Sequence, residues 1–181
     1  MKKFLGFVFE TVKIVVLALA IVIPIRYFLF QPFFVRGSSM EPNFQNFDYL
    51  IIDEISYRFR EPKRGEVVVF KYPKDPSSRF IKRIVGLPEE EVKIEEGKVF
   101  VRNGGEFEML EEGYLSSFAT TPGNTHIFLR ENEYFVLGDN REFSSDSRRW
   151  GPLGREDIVG RVFLRLFPLS YLAKIETPLY Q

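Results

Sequence analysis

Apolar residues crowd the N-terminus of the chain and then thin into short runs bounded by turns. The longest uninterrupted apolar stretch is Ile14 to Ile25, held between Lys13 and Arg26. Crossing a bilayer as a helix takes about 20 residues. This stretch approaches that length if Lys13 and Arg26 lay their stems along it and lift their charges toward the head groups. Pro24 kinks or ends such a helix, and Tyr27-Phe28-Leu29-Phe30 reads as an interfacial aromatic belt. A cleavable signal peptide would use Lys2, Lys3 and the small-residue site Ala18-Leu19-Ala20, yet only Ile14–Leu17 precede that site without a charge. A helix lying in the interface needs a polar face, which Ile14–Ile25 lacks. The expectation is one uncleaved span whose N-terminus, marked by Lys2, Lys3 and Lys13, is cytoplasmic.

Past residue 36 the pattern predicts strands over Tyr49–Ile52, Glu66–Tyr72, Arg79–Leu87, Val92–Ile94, Lys98–Val101, Glu133–Leu137 and Asp157–Leu169. Glu95-Glu96-Gly97 suits a hairpin turn, and Asn103-Gly104-Gly105 a reversal. No sustained helical period follows residue 36, and prolines punctuate the runs. The fold class is therefore mostly β: an N-terminal transmembrane helix, then a β-rich domain with a small inserted β subdomain. Residues 1–36 form the tether and 37–181 the outer domain. The acid-, Gly- and Thr-rich part from about Glu89 to Arg130 reads as the insert.

Composition narrows the chemistry. The 181 residues hold 25 basic and 25 acidic side chains, one His and no Cys. Disulfides, thiolate zinc sites and cysteine nucleophiles are thus excluded. Zero net charge argues against a nucleic-acid partner. One acid and five bases precede Gly37, so the outer portion has four more acids than bases. Seven of the 20 Phe fall in the first 36 residues, which ties the aromatic excess to the tether. Trp150, Phe163 and Phe167 are expected to help seat the outer domain on a bilayer. His126, beside the mobile turn Thr120–Thr125, reads as a surface residue, and Glu89-Glu90-Glu91 as solvated acids.

With one imidazole, another base must be sought for hydroxyl activation. Lys82 is the candidate, since strand alternation sets it between Phe80 and Ile84 while Arg83 faces away. Lowering a lysine pKa by three units costs about 4 kcal/mol, which demands a dry pocket. From the local pattern alone, a lysine on a solvated edge strand is the better reading. Ser38 and Ser39, in Gly37-Ser38-Ser39-Met40-Glu41-Pro42, are the nucleophile candidates, and spacing does not choose between them. Amides in such a turn can form an oxyanion hole, and an ordinary linker has the same composition. The polar segment Gly138–Arg148 has the hydrogen-bonding capacity to brace a site; it lacks the alternating acids and central Gly of an EF-hand loop.

Taken together, these segments resemble the type I signal peptidases, membrane-bound serine–lysine proteases that remove signal peptides from exported proteins. The resemblance rests on Ser39-Met40 and Pro42, Asp48-Tyr49-Leu50, Arg64–Phe70, Lys82-Arg83, Gly86-Leu87-Pro88, Gly138-Asp139-Asn140-Arg141, Ser144, Asp146-Ser147-Arg148 and Trp150-Gly151. It implies that Ser39 is the nucleophile and Lys82 its general base. It further implies that Ser144 hydrogen-bonds the lysine while Asp146 and Arg148 pair beside it. Matching substrate-pocket positions are Phe33, Val35, Met40, Phe44, Phe80 and Ile81, for small residues in an Ala-X-Ala pattern. Ile81 should face away from Lys82 by alternation, which a bulge or twist would reconcile. Where some members carry an oxyanion hydroxyl, this chain has Gly37; Glu89 stands where Gly is usual, and Asn43 where Thr is.

The implied enzyme is a single-pass protein of the bacterial cytoplasmic membrane with an extracytoplasmic Ser-Lys peptidase domain and no metal or cofactor. Its partners would be preproteins emerging from the translocation machinery, and the lipid bilayer. Self-cleaving repressors of the DNA-damage response share the Ser–Lys arrangement but need an Ala-Gly or Cys-Gly bond, which this chain lacks. A tethered scaffold that has lost activity is the other alternative.

Overall fold

The computed structural model describes residues 2–28, 30–116, 118–168, 172–175 and 177–178. It opens with a 27-residue helix, α1 (Lys2–Phe28), whose side chains are described at Phe4 and from Gly6 to Ala20. All of these are exposed. Among the described residues no helix is long and apolar enough to cross a membrane. The later half of the expected span, Ile21–Ile25, and the expected belt from Tyr27 to Phe30 lie outside the residues whose side chains are described.

The rest is mostly β, as the short apolar runs predict. β1 (Phe30–Phe34), β2 (Tyr49–Asp53), the helical turn α2 (Ser56–Phe59), β3 (Val67–Tyr72) and β4 (Asp75–Gly86) come first. β5 (Glu91–Glu95), β6 (Lys98–Arg102), β7 (Glu108–Met109) and β8 (Thr125–Phe128) follow. Then come β9 (Glu133–Leu137), the turn α3 (Ser147–Trp150), β10 (Leu153–Gly154), β11 (Ile158–Phe167) and β12 (Ala173–Lys174). Eight strands make one sheet in the order β1-β2-β11-β3-β4-β9-β10, with β12 on β11, and β7-β6-β5-β8 make a second.

β3 shows why the larger sheet holds. Val67 and Val69 point to one face and join Met40, Phe44, Leu50 and Ile81; Val68 and Phe70 point to the other and join Ile84, Val136 and Leu153. Both faces of the strand are thus buried, each by every second residue. The second sheet packs Val92, Ile94, Val99 and Val101 against Leu129, Phe135 and Leu137, so β9 serves both cores. Its hairpin turns at Glu96 (φ 50°) and Gly97 (φ 77°), the left-handed pair that a two-residue loop requires.

Three expectations change. β1 is a strand where an interfacial segment was expected; it pairs antiparallel with β2 at the sheet edge, where Pro32 is tolerated. His126 sits on β8 rather than beside a loose turn, exposed and 2.9 Å from Glu91. Glu90 is buried rather than solvated, bonding Arg64 at 2.6 Å and the Leu87 N–H at 2.8 Å.

Glu89 adopts φ 65° in the turn after Pro88, a conformation that costs an L-residue about 1–2 kcal/mol. Glu89→Gly should therefore stabilise the fold by about 1 kcal/mol in urea titration, and Glu89→Ala should not.

Candidate active site

β4 is paired with β3 along most of its length but meets β9 only from Arg83 onward. One edge of residues 75–82 is therefore open. Across it runs the segment 32–39, and the two enclose a cleft of about 800 Å³. Lys82 lies at the inner end of that open edge. Its Nζ donates to Ser39 Oγ at 2.7 Å and to the Ile81 carbonyl at 2.7 Å. The side chain is 3% exposed. Removal from water is the largest influence on it and pushes its pKa from 10.5 down to about 8, against the pull of the Asp146 and Asp139 carboxylates.

Of the two candidate serines, Ser39 is the one whose hydroxyl meets Lys82. Ser38 is exposed, and its carbonyl accepts from Glu41 N–H and Asn140 Nδ2. The difficulty with Ile81 also disappears without a bulge. The β3–β4 register is unbroken from Val67↔Arg83 to Lys71↔Arg79, so Phe80 and Lys82 share one face and Ile81 takes the other. All three border the cleft because it runs along the strand's edge, not above its face.

Ser144 is buried, but among the described residues the expected hydrogen bond to Lys82 is not made: Nζ spends its bonds on Ser39 and Ile81, and Ser144 Oγ meets no partner there at hydrogen-bond geometry. Ser144 still lies near enough to Asp146 to help lower that carboxyl's pKa. Burial alone would raise the Asp146 pKa; Arg148, the Gly138 N–H and Ser144 together hold it below the ordinary range. Asp146 and Arg148 pair as expected, Oδ1 accepting from Nε at 2.8 Å and Oδ2 from an Arg148 NH2 nitrogen at 2.8 Å. Asp146 Oδ2 also accepts from Gly138 N–H at 3.1 Å. A Cβ on Gly138 would lie 2.2 Å from Ser144 Oγ and 2.4 Å from Ser39 O, so only glycine lets these three segments close on one another.

Sequence reasoning expected the segment Gly138–Arg148 to brace a site but did not identify the partners through which it does so. Arg83 forms a buried two-pronged pair with Asp139, Nε to Oδ1 at 2.8 Å and an NH2 nitrogen to Oδ2 at 2.6 Å. Asn43 Nδ2 joins Asp139 at 2.8 Å and the Tyr114 carbonyl at 2.9 Å. That position, where Thr is usual, therefore reaches the charge network and not only the turn. Asn140 N–H donates to Ser39 O at 3.1 Å. Arg141, also buried, pairs with Glu112 and bonds Thr121. Lys82-Arg83 and Gly138–Arg141 were conspicuous as strings of polar residues; which carboxylate answers which cation was not.

Of the six expected pocket residues, Phe33, Phe80 and Ile81 border the cleft. Val35, Met40 and Phe44 do not. They are buried in the core beneath it, at most 1% exposed. Trp150, expected at a membrane surface, packs half-buried at 5.7 Å from the Phe70 ring and 6.0 Å from Tyr72; Phe167 is exposed.

A hydroxyl held against a desolvated amine beside a strand edge has the chemistry of a peptidase. The family model described as "Signal peptidase, peptidase S26" matches residues 8–167, and the chain belongs to that family. It is 42% identical to a probable signal peptidase I-2 of Synechocystis over 88% of this chain and 73% of that one. It is 34% identical to a signal peptidase I of Leptolyngbya laminosa over 93% and 84%, respectively. Among solved structures, a signal peptidase I of Enterococcus faecalis V583 aligns at TM-score 0.48 and 28% identity, covering 57% of this chain and 97% of that one. The chain is thus a signal peptidase I enzyme.

Removing the counter-charge of a buried guanidinium costs about 3–5 kcal/mol, whereas replacing the whole pair by apolar groups is often neutral. Asp139→Asn should lower unfolding free energy by about that amount in urea titration, and Asp139→Leu/Arg83→Met should regain most of it.

Proposed function

We propose that Ser39 is the nucleophile and Lys82 the general base of a serine–lysine dyad. The observation that carries this is the 2.7 Å contact between their reacting atoms, made by a lysine whose surroundings bring its pKa to about 8. In its neutral form Lys82 offers a lone pair to the Ser39 hydroxyl while an N–H stays on the Ile81 carbonyl. Ser39 then attacks the scissile carbonyl, and the lysine passes the proton it takes to the leaving amine. Water, activated by the same lysine, releases the acyl-enzyme. Among the described residues the Ser39 N–H donates no hydrogen bond, and we assign it to the oxyanion in place of any side chain at Gly37. Asp146 and Arg148 hold Gly138 and Ser144 against Ser39. A chain of the same fold that merely binds would have no use for a buried, unpaired lysine touching a hydroxyl, which disfavours the scaffold alternative.

The substrate is a preprotein bound extended along the open edge of β4, with the small residues before the cleaved bond against Phe33, Phe80 and Ile81. We assign residues 37–181 to the peptidase domain, with the second sheet as its insert. We assign α1 to a membrane anchor, because its described apolar side chains, from Phe4 to Leu19, are exposed and only Glu10, Thr11 and Lys13 interrupt them with polar groups. On this assignment the N-terminus is cytoplasmic in a bacterial cytoplasmic membrane, and the domain meets preproteins leaving the translocation machinery.

Ser39→Ala and Lys82→Ala should each reduce preprotein cleavage by about 10²–10⁴-fold or more; wild-type cleavage in either variant would refute the dyad. Lys82 is reactive only when unprotonated, so kcat/KM should climb with pH and level off above about 8. A profile whose midpoint lay at 10.5, the ordinary value, would contradict the desolvated site.

A further inference from the structure

A second cavity, of about 240 Å³, is bordered by the continuation of the two segments that line the larger cleft. Gly37, Ser38 and Ser39 border the cleft, and Glu41 and Pro42 border the cavity. On the other segment Phe143 and Ser145 face the cleft, whereas Asn140 and Glu142 face the cavity. The segments are stitched together between the two spaces, where Asn140 N–H donates to Ser39 O at 3.1 Å and Nδ2 to Ser38 O at 3.0 Å. Ser39 therefore stands at the partition. A peptide whose scissile carbonyl sits on Ser39, with its preceding residues in the larger cleft, sends its following residues toward the second cavity.

The far wall comes from the excursion that carries the second sheet, through Phe118, Ala119 and Thr120. Phe118 is 92% exposed at this lip. Asn43 and Arg141 tie the excursion down, through the Tyr114 carbonyl and the Glu112 carboxylate. A loop fastened in this way makes a fixed wall.

The two spaces differ in charge. Arg36, Arg79 and Lys82 border the larger cleft, and no acid does. In the cavity the Asp139 charge is answered by Arg83 and the Arg141 charge by Glu112. That leaves Glu41 and Glu142, which take part in no ion pair among the described residues. Hydrolysis breaks the peptide C–N bond and adds the elements of water. A carboxylate then ends the signal-peptide fragment, and the leaving nitrogen, protonated first from Lys82 and then from solvent, becomes an ammonium on the mature fragment. The charges of the two spaces complement the charges of the two new ends.

We propose that the second cavity is the subsite for the first residues of the mature protein, and that Glu41 and Glu142 bias it toward cationic and against anionic side chains. This rests on the reading of Ser39 as nucleophile with the signal peptide in the larger cleft.

The test uses the full chain and two peptides identical up to the cleaved bond, with Lys or Glu at the first two positions after it. The readout is the ratio of their kcat/KM values. In wild type the Lys peptide should be favoured about fivefold, as for a pair of part-exposed charge contacts, and less at high salt. In Glu41→Gln/Glu142→Gln the ratio should fall to about one, and in Glu41→Lys/Glu142→Lys it should invert. Glu106→Gln/Glu131→Gln, which removes two exposed acids that border neither space, should keep the wild-type ratio. Cleavage that requires Ser39 but shows no Lys preference, or a preference unchanged in the Glu41/Glu142 variants, overturns this proposal alone. Cleavage unaffected by Ser39→Ala overturns the reading beneath it as well.

Discussion

Two cations stand side by side in the chain, Lys82 and Arg83, and the site depends on their being treated oppositely. Strand alternation turns them to different faces. Arg83 receives Asp139 as a two-pronged partner, so its charge is buried and matched. Lys82 receives no carboxylate within bonding distance, only a hydroxyl and a carbonyl. Burial outweighs the pull of the Asp146 and Asp139 carboxylates, so the ordinary pKa is not restored. The arrangement carries a cost. An unfolded chain would bind a proton at Lys82 up to about pH 10.5, whereas the folded one releases it near 8, so the fold is penalised at neutral pH and recovers as pH rises between those values.

The second requirement is closeness. The Ser39 segment, the Gly138 turn and Ser144 meet with no room for a methyl group. Such packing fixes where the Ser39 hydroxyl sits without spending a charge on it. The hydrogen bonds from Asn140 act on the backbone of Ser38 and Ser39, and the Asp146–Arg148 pair acts on the backbone of Gly138. Positioning by main-chain contacts leaves the reacting side chains free of competing partners.

Much of the architecture is legible along the chain because it is written in local alternation. β9 matches its expected limits, and β2, β3, β5 and β6 differ by one or two residues at their ends. β1 was hidden because an edge strand that follows an apolar helix without a polar break has no pattern of its own, and Pro32 argued against it. β8 was hidden because Thr125-His126-Ile127-Phe128 sets two polar residues before two apolar ones, so its four positions carry no alternation. The contact between Ser39 and Lys82 was only half legible: local pattern supplied Lys82 and two serines, and family resemblance chose Ser39. The pairing of Arg83 with Asp139, 56 positions away, leaves no trace in spacing at all. Val35, Met40 and Phe44 show a further limit, since an apolar residue beside a site reads alike whether it faces the cleft or the core beneath it.

Only Leu29 separates the end of α1 from β1, and β1 is laddered to β2 from its first residue to its last. The same strand leads into Phe33 and Phe34 on the wall of the cleft. The connection between helix and domain is thus one residue long, so the two stay close along the chain. A one-residue insertion within β1 would strain its ladder to β2 or turn the following side chains over, Phe33 and Phe34 among them. The place of that wall is set by the β1–β2 ladder, before any substrate arrives.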